Sequence, residues 1–201
     1  MDYIKKLEDL LSKKYSYREI AENLYLNYCS LIDTDEVYRI RKKLSQIFVC
    51  NLNDVRLIGS AHTGYSFKND KLEIRNNPKD YDFAIIDPVV FATYFHKINV
   101  SKIEAKNIGN YTKYILQGKI HPLYADSKFL KEIQTIYINI SGELGIKRHI
   151  TVCFYLSEKA FIEGLVMYNH QLYTMMLKKI NNSVMQELPE MVFKDIPKME
   201  G

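Results

Sequence analysis

The stretch DYDFAIID, residues 80–87, constrains the fold of this chain more than any other. Its short apolar run predicts a buried β-strand. Because strand side chains alternate between faces, we expect Tyr81, Phe83 and Ile85 to point into the core, and Asp80 and Asp82 to share the opposite face. Their Cα atoms would lie roughly 6.5–7 Å apart. Two like charges on a half-buried strand are costly unless a cation lies between them, so this pair predicts a divalent metal site.

A second short apolar run, VRLIG, predicts a strand that begins at Val55 and ends at Gly59 and Ser60. Glycine lets the backbone approach a phosphate closely, and the N–H groups at a helix start attract anions. The serine hydroxyl is a further donor, and Gly64 adds a second flexible point. We therefore expect phosphate binding at this Gly-Ser turn. Any of four basic residues between the two runs could neutralise a triphosphate: Lys68, Lys71, Arg75 and Lys79.

A strand that ends in Gly-Ser, a helix, and a strand bearing Asp-x-Asp together resemble the nucleotidyltransferase superfamily, which includes DNA polymerase beta. The stretch GSAHTGYSF…DYDFAII is most similar to small bacterial nucleotidyltransferase-like proteins of poorly defined substrate. The resemblance covers Val55–Asp87 and is only topological beyond it. It implies that Gly59 and Ser60 hold the nucleotide phosphates, and that Asp80 and Asp82 bind one or two Mg²⁺ ions.

The resemblance implies a Mg²⁺-dependent enzyme that transfers a nucleoside monophosphate from an NTP, most simply ATP, to an acceptor hydroxyl, with release of pyrophosphate. The acceptor is open between a protein, an RNA and a small molecule, and the oligomeric state is open as well.

Two features depart from the family pattern. The gap between Ser60 and Asp80 is longer than in minimal members, which predicts an inserted loop, FKNDKLEIRNNPK, over the site. The family usually has a third carboxylate on a later strand, but neither predicted strand, TIYINIS nor HITVCFYLS, contains an acid. Glu143 and Glu158 are the nearest candidates, although a carboxylate in a turn is usually solvated and one in a first helical turn serves the helix dipole.

The missing acid leaves a second hypothesis, an inactive nucleotidyltransferase-like binding or regulatory module, for example in a toxin–antitoxin or defence system. A third is a nucleic-acid-binding protein that uses the basic inserted loop. Structural explanations also compete, because Asp80 and Asp82 would be loop residues if the strand began at Phe83. A plain strand-ending turn would account for Gly59 and Ser60 on their own.

Three further residues lie in the segment YILQGKIHPLY, which forms either part of a substrate wall or an ordinary surface loop: Gln117, Lys119 and His121. His62 follows the Gly-Ser turn by two residues, and we interpret it as a helix-surface residue.

The pattern as a whole predicts an α+β protein with the polymerase-beta-like fold, a small mixed sheet flanked by helices. Residues 1–50 read as N-terminal helices, 51–180 as the nucleotidyltransferase-like domain and 181–201 as a loosely held tail. TIYINIS and HITVCFYLS are predicted strands joined by a turn, GELGIKR. Four helix starts have predicted caps: Ser16 with Glu19, Asp33 with Glu36, Asp87, and Ser157 at the start of the long last helix.

Composition adds only broad limits. The 201 residues suffice for one sizeable domain, and a net charge of +4 suits a phosphate-bearing ligand without requiring one. Cys29, Cys50 and Cys153 have no paired spacing, which favours reduced thiols and a cytoplasmic location. The sequence has no apolar run of eighteen residues, so we expect no membrane-spanning helix.

Overall fold

The computed structural model describes residues 3–27, 34–68, 71–74 and 77–181. The α-helices in this part of the chain are α1 (Tyr3–Ser12), α2 (Tyr17–Asn27), α3 (Thr34–Phe48), α4 (Gly59–Thr63), α5 (Pro88–Lys97), α6 (Ala105–Leu116), α7 (Ser127–Leu144) and α8 (Glu158–Asn181). The strands are β1 (Val55–Ile58), β2 (Tyr65–Lys68), β3 (Lys71–Ile74), β4 (Asp80–Ile86), β5 (Lys119–Ile120) and β6 (His149–Tyr155). Across these described ranges, every helix is too short or too polar to cross a bilayer.

Four strands form one mixed sheet in the order β1-β4-β6-β5. β1 runs antiparallel to β4, with Ile58 opposite Asp82. β4 runs parallel to β6, with Asp82 opposite Thr151, and β5 runs antiparallel to β6, with Lys119 opposite Tyr155. The predicted α+β class with a small mixed sheet is therefore confirmed, as are strands at VRLI and at DYDFAII.

The two faces of this sheet have different neighbours. One face carries Tyr81, Phe83 and Ile85, which are fully buried in the main core together with residues of α3, α5 and α7. The opposite face carries Ala84 and Cys153, which pack in a smaller cluster with residues of α2 and α8. The alternation expected for β4 is thus observed, and its second face is covered by helices rather than by a second sheet.

Helices α1, α2 and α8 form a third apolar cluster, which also takes in Tyr65 from β2. Tyr3 Oη in α1 donates a 2.6 Å hydrogen bond to Asn169 Oδ1 in α8, and both residues are buried. The segment predicted as N-terminal helices therefore splits, since α1 and α2 pack on α8 while α3 packs into the main core. The tail from residue 182 onward lies outside the described residues.

Three of the four predicted caps are observed. The Glu19 carboxylate accepts a hydrogen bond from Ser16 N at 2.9 Å, and Ser16 Oγ accepts one from Glu19 N at 3.3 Å, which together form the first capping box. Asp87 Oδ1 accepts from Val89 N and Val90 N, both at 2.8 Å, at the start of α5. The cap predicted at Asp33 lies outside the described residues.

The strand predicted at TIYINIS is wrong, because these residues lie in the middle of α7. Ile133 and Ile140 are fully buried, whereas Ile138 is 70% exposed, which is a helical and not an alternating pattern. Alternating isoleucines fit a strand over a few residues. The helix that contains them starts after the cap residue Asp126 and ends at Gly145, whose φ is +68°. The turn predicted at GELGIKR is accordingly the end of this helix.

The loop predicted at FKNDKLEIRNNPK differs in the structure, since part of it belongs to strands β2 and β3, which pair antiparallel. β3 packs against α8. Ser157 Oγ accepts from Ala160 N at 3.2 Å, so the predicted cap of α8 is present. The polar stretch that gave no assignment from sequence, residues 99–131, contains α6, β5 and the start of α7.

Asp126 caps α7 and Asp87 caps α5. Replacing Asp126 should lower the free energy of unfolding more than replacing Asp87. Asp126 is 3% exposed and accepts from Lys128 N and Phe129 N, while its second oxygen accepts from Asn99 N at 2.8 Å. We expect Asp126→Ala to lower the free energy of unfolding by about 2 kcal/mol or more, because three donors lose a buried acceptor.

Asp87→Ala should cost about 1 kcal/mol, and Asp126→Asn should keep part of the bonding. Urea unfolding followed by circular dichroism measures all three, and equal losses for Asp126→Ala and Asp87→Ala would contradict the prediction.

Candidate functional site

Asp82 is the central residue of the candidate site. It lies in the interior of β4 on the face that turns away from the main core, and it is partly buried. Thr151 Oγ1, on the neighbouring strand β6, donates a short hydrogen bond to Asp82 Oδ1. One carboxylate oxygen of Asp82 is therefore hydrogen-bonded within the sheet.

The Gly-Ser turn lies directly against this carboxylate. Gly59 has a φ of +67°, and a Cβ atom built on it would lie 2.6 Å from Asp82 Oδ2. Only glycine tolerates both this backbone conformation and this approach. The structure thus brings together the two motifs that the sequence coupled, and it does so through the Gly59 backbone.

Ser60 and Asp80, the other two predicted site residues, are not among the residues that line the cavity beside Asp82. Ser60 is the second residue of α4 and is partly buried, and α4 itself is a single short helix of five residues. Asp80 is the first residue of β4 and is exposed. It is nonetheless close enough for its charge to act on Asp82.

The pKa of Asp82 is raised above its usual range. Burial is the largest cause, and the neighbouring Asp80 charge acts in the same direction. The hydrogen bond from Thr151 and the positive charge of Lys119 oppose the shift. A bound cation would offset the cost of ionising both aspartates.

A cavity of about 260 Å³ opens beside Asp82 and Gly59. Its polar lining includes Asp82, Thr151, Lys119 and His121. Helices α1, α2 and α8 contribute a mostly aromatic wall, formed by Tyr3, Tyr25, Phe161, Leu165 and Tyr168. The space between the sheet and these three helices can therefore take a ligand with both a charged and an apolar part.

Lys119 and His121 are the two residues of the YILQGKIHPLY segment that line this cavity. Gln117 does not belong to the lining, and its Nε2 contacts Met167 Sδ at 3.7 Å. Sequence reasoning left these residues undecided because β5 has only two residues, too few to show a periodic pattern.

Of the basic residues between the two motifs, Lys68 and Lys71 are backbone partners in the β2–β3 pairing. Lys79 is exposed, and Arg75 lies outside the described residues. Within the described ranges, Lys119 is a cation that lines the cavity.

The expectation that His62 is a helix-surface residue is wrong. Its side chain is 9% exposed and lies near the rings of Tyr3 and Tyr25, at centroid distances of 6.4 and 6.2 Å. Burial lowers its pKa to about 4, so it is neutral at physiological pH. The helices that cover it come from distant parts of the chain and could not be anticipated from local spacing.

Neither candidate for a third carboxylate lies at the site. Glu143 is exposed at the end of α7 and pairs with Lys43, and Glu158 is exposed in the first turn of α8. The position on β6 opposite Asp82 is occupied by Thr151. No group of three or more potential metal ligands of the His, Cys, Asp or Glu type occurs in the described ranges.

Two carboxylates are still a donor set that fits Mg²⁺. In proteins this ion commonly binds one or two carboxylates and takes its remaining ligands from water and substrate phosphates. Asp80 and Asp82 share one strand face and interact electrostatically, and the Gly59 turn adjoins Asp82 Oδ2. The arrangement therefore suits a phosphate-bound Mg²⁺ better than a site built from protein ligands alone.

Gly59→Ala should damage the site more than the same change at Gly145, which has a similar φ of +68° but no atom near its Cβ position. Both variants carry the strain of a positive φ, about 1 kcal/mol. Gly59→Ala also collides with Asp82, so we expect a loss of at least about 2 kcal/mol in the free energy of unfolding. Thermal and urea unfolding compare the two, and equal losses would show that Asp82 moves away without cost.

Comparison with protein-family models, with curated proteins and with solved structures gives no match for this chain. The geometry described above is therefore the basis on which a function has to be argued.

Proposed function

We propose that this protein is a Mg²⁺-dependent nucleotidyltransferase that transfers a nucleoside monophosphate from an NTP to an acceptor hydroxyl. The observation that carries the proposal is the contact between Gly59 and Asp82. A backbone turn suited to phosphate and a carboxylate suited to a cation adjoin each other at the edge of a cavity. Each motif alone is common, but their contact across two strands is what a metal-bound phosphate requires.

In this proposal Asp80 and Asp82 hold Mg²⁺, which would neutralise charge on the phosphates and position them. The backbone at Gly59 and the Ser60 hydroxyl bind the pyrophosphate end of the nucleotide. Thr151 holds Asp82 in a fixed rotamer through its hydroxyl group. Lys119 adds a positive charge to the same cavity.

In this reaction the protein forms no covalent bond to the substrates. The acceptor oxygen forms a bond to the α-phosphorus while the bond to the bridging oxygen of pyrophosphate breaks. The acceptor proton leaves to water, since Thr151 stands where a third acid would be placed. Positioning and charge neutralisation supply the rate enhancement.

The second candidate is an inactive module that binds nucleotide or regulates a partner. Thr151 is the specific observation that favours it, because a hydroxyl engaged with Asp82 is a poor substitute for a carboxylate base. The two candidates agree on nucleotide binding and differ in whether pyrophosphate is released.

The double variant Asp80→Ala with Asp82→Ala should abolish Mg²⁺-dependent release of pyrophosphate from NTPs. The reason is that the cation loses both of its protein ligands. The assay uses each of the four NTPs with mixed protein, RNA and small-molecule acceptors, and a coupled phosphate readout follows pyrophosphate.

Asp87→Asn is the matched control, because it removes one negative charge just beyond the other end of β4 while asparagine still caps α5. Turnover that survives in the double variant, with Asp87→Asn also active, would rule out the mechanism. Nucleotide binding without turnover in the unaltered protein would favour the second candidate.

Thr151→Asp should make the thermal stability of the protein more dependent on Mg²⁺. Without the ion, a third carboxylate beside Asp82 adds repulsion, and Tm should fall by about 2–4 °C for each kcal/mol of that repulsion. Adding Mg²⁺ should restore Tm by more than it raises that of the unaltered protein.

Thr151→Val serves as the control, since it removes the hydroxyl bond without adding charge. Differential scanning calorimetry with and without Mg²⁺ gives the comparison. A Thr151→Asp variant that Mg²⁺ does not stabilise would mean that no cation lies near Asp82.

A further inference from the structure

Lys119 is a cation that lines the cavity, and its charge acts on Asp82 across that cavity. Its Nζ lies 4.8 Å from the centroid of the Tyr114 ring and 5.5 Å from that of Tyr155. No carboxylate of the described residues lies within salt-bridge distance of it. Partly buried charges are normally paired, so a lysine held by two ring faces at a cavity wall is arranged to receive an anion.

His121 adds a second polar group at the same place. It follows Lys119 by two residues in extended backbone, so both side chains project from the same face, and both line the cavity. His121 Nδ1 is buried and, among the described residues, has no hydrogen-bond partner. Burial and the Lys119 charge lower the pKa of His121 to about 4, so the ring is neutral. An unsatisfied nitrogen next to an ammonium group that forms no salt bridge with a carboxylate of the described residues is a further sign of a ligand.

Lys119 and His121 lie on the opposite side of the sheet's strand order from the Gly-Ser turn. Gly59 follows β1, which is one edge strand, whereas Lys119 belongs to β5, which is the other. Three strand spacings, about 14 Å, lie between these edges, and Asp82 lies between them on β4. Gly59, Asp82 and Lys119 nevertheless line one continuous cavity.

In-line displacement assigns different roles to the two edges. The attacking and leaving oxygens lie on opposite sides of the phosphorus. If pyrophosphate leaves toward Gly59 and Ser60 on the β1 side of Asp82, the acceptor approaches from the β6–β5 side, where Thr151, His121 and Lys119 lie.

We propose that Lys119 and His121 form an oxyanion subsite for the acceptor, and that the acceptor is a small molecule that carries a hydroxyl and a phosphate or carboxylate group. The inference rests on the proposed nucleotidyl transfer. The small cavity, about 260 Å³ and walled by α1, α2 and α8, favours a small molecule over an RNA end or a protein side chain. Phosphate and carboxylate share the chemistry that an ammonium group and an N–H donor recognise.

The test measures binding of three matched probes by calorimetry on the full chain: glycerol, glycerate and glycerol 3-phosphate. The unaltered protein should bind at least one of the two anionic probes and should not bind glycerol. The stronger of the two identifies the anion. Lys119→Met should weaken that binding by at least about tenfold, while Lys119→Arg should retain most of it. His121→Phe, which keeps a ring against Tyr114 and Tyr124, should cause a smaller loss.

Lys97→Met is the matched control, because Lys97 also lies over a tyrosine ring, that of Tyr94 at 4.7 Å, but pairs with Glu132 and does not line the cavity. It should leave probe binding unchanged. Mg²⁺-ATP binding should require Asp82, and Lys119→Met should weaken it by clearly less than it weakens binding of the anionic probe.

Three results would overturn the inference or part of it. If glycerol and both anions bind with the same affinity, Lys119 and His121 do not form an anion subsite. If Lys119→Met loses as much affinity for Mg²⁺-ATP as for the anionic probe, Lys119 binds the nucleotide instead. If anion binding depends on Lys119 but the protein does not bind Mg²⁺-ATP, the anion site is real, and nucleotidyl transfer with its acceptor role is rejected. Should Lys119→Met fail to fold, His121→Phe and Lys119→Arg still give the comparison.

Discussion

The register between β1 and β4 is the constraint on which the rest of the site depends. Because Ile58 lies opposite Asp82, the next residue of the chain, Gly59, meets the Asp82 carboxylate. A shift by one residue would turn Asp82 into the main core and Phe83 toward the cavity. The hydrophobic alternation of β4 opposes such a shift, so the packing of the core also fixes the position of the polar groups.

The polar groups on the sheet face that carries Asp82 lower the stability of the folded protein. Within the part of the chain that the structure describes, this face holds a carboxylate with a raised pKa, a lysine that forms no salt bridge and a histidine nitrogen without a hydrogen bond. Well-packed cores avoid such groups, and their concentration in one cavity is typical of a functional site. The opposite face, with Tyr81, Phe83 and Ile85 fully buried, supplies stability that offsets this cost.

Local patterns predicted some parts of the molecule well. The strands around VRLI and DYDFAII, the Gly-Ser turn, and the caps at Ser16, Asp87 and Ser157 follow from short-range rules of alternation and hydrogen bonding. The same rules failed at TIYINIS, where alternating isoleucines belong to α7. Over a few positions, a run of β-branched residues fits both the strand period of two and the helix period of 3.6. The helix forms here because residues distant in sequence bury Ile133 and Ile140.

By itself the sequence indicated Gly59, Ser60, Asp80 and Asp82 as the candidate residues, and it predicted the turn and the strand on which each pair lies, because alternation and turn chemistry act within a few residues. The contact between Gly59 and Asp82 was decided by strand pairing. Tertiary structure alone decided that Lys119 and His121 complete the cavity, that Thr151 stands opposite Asp82, and that α1, α2 and α8 cover the face. These groups come from strands and helices far apart in the chain. Their meeting depends on strand order and on helix packing, which no local pattern encodes.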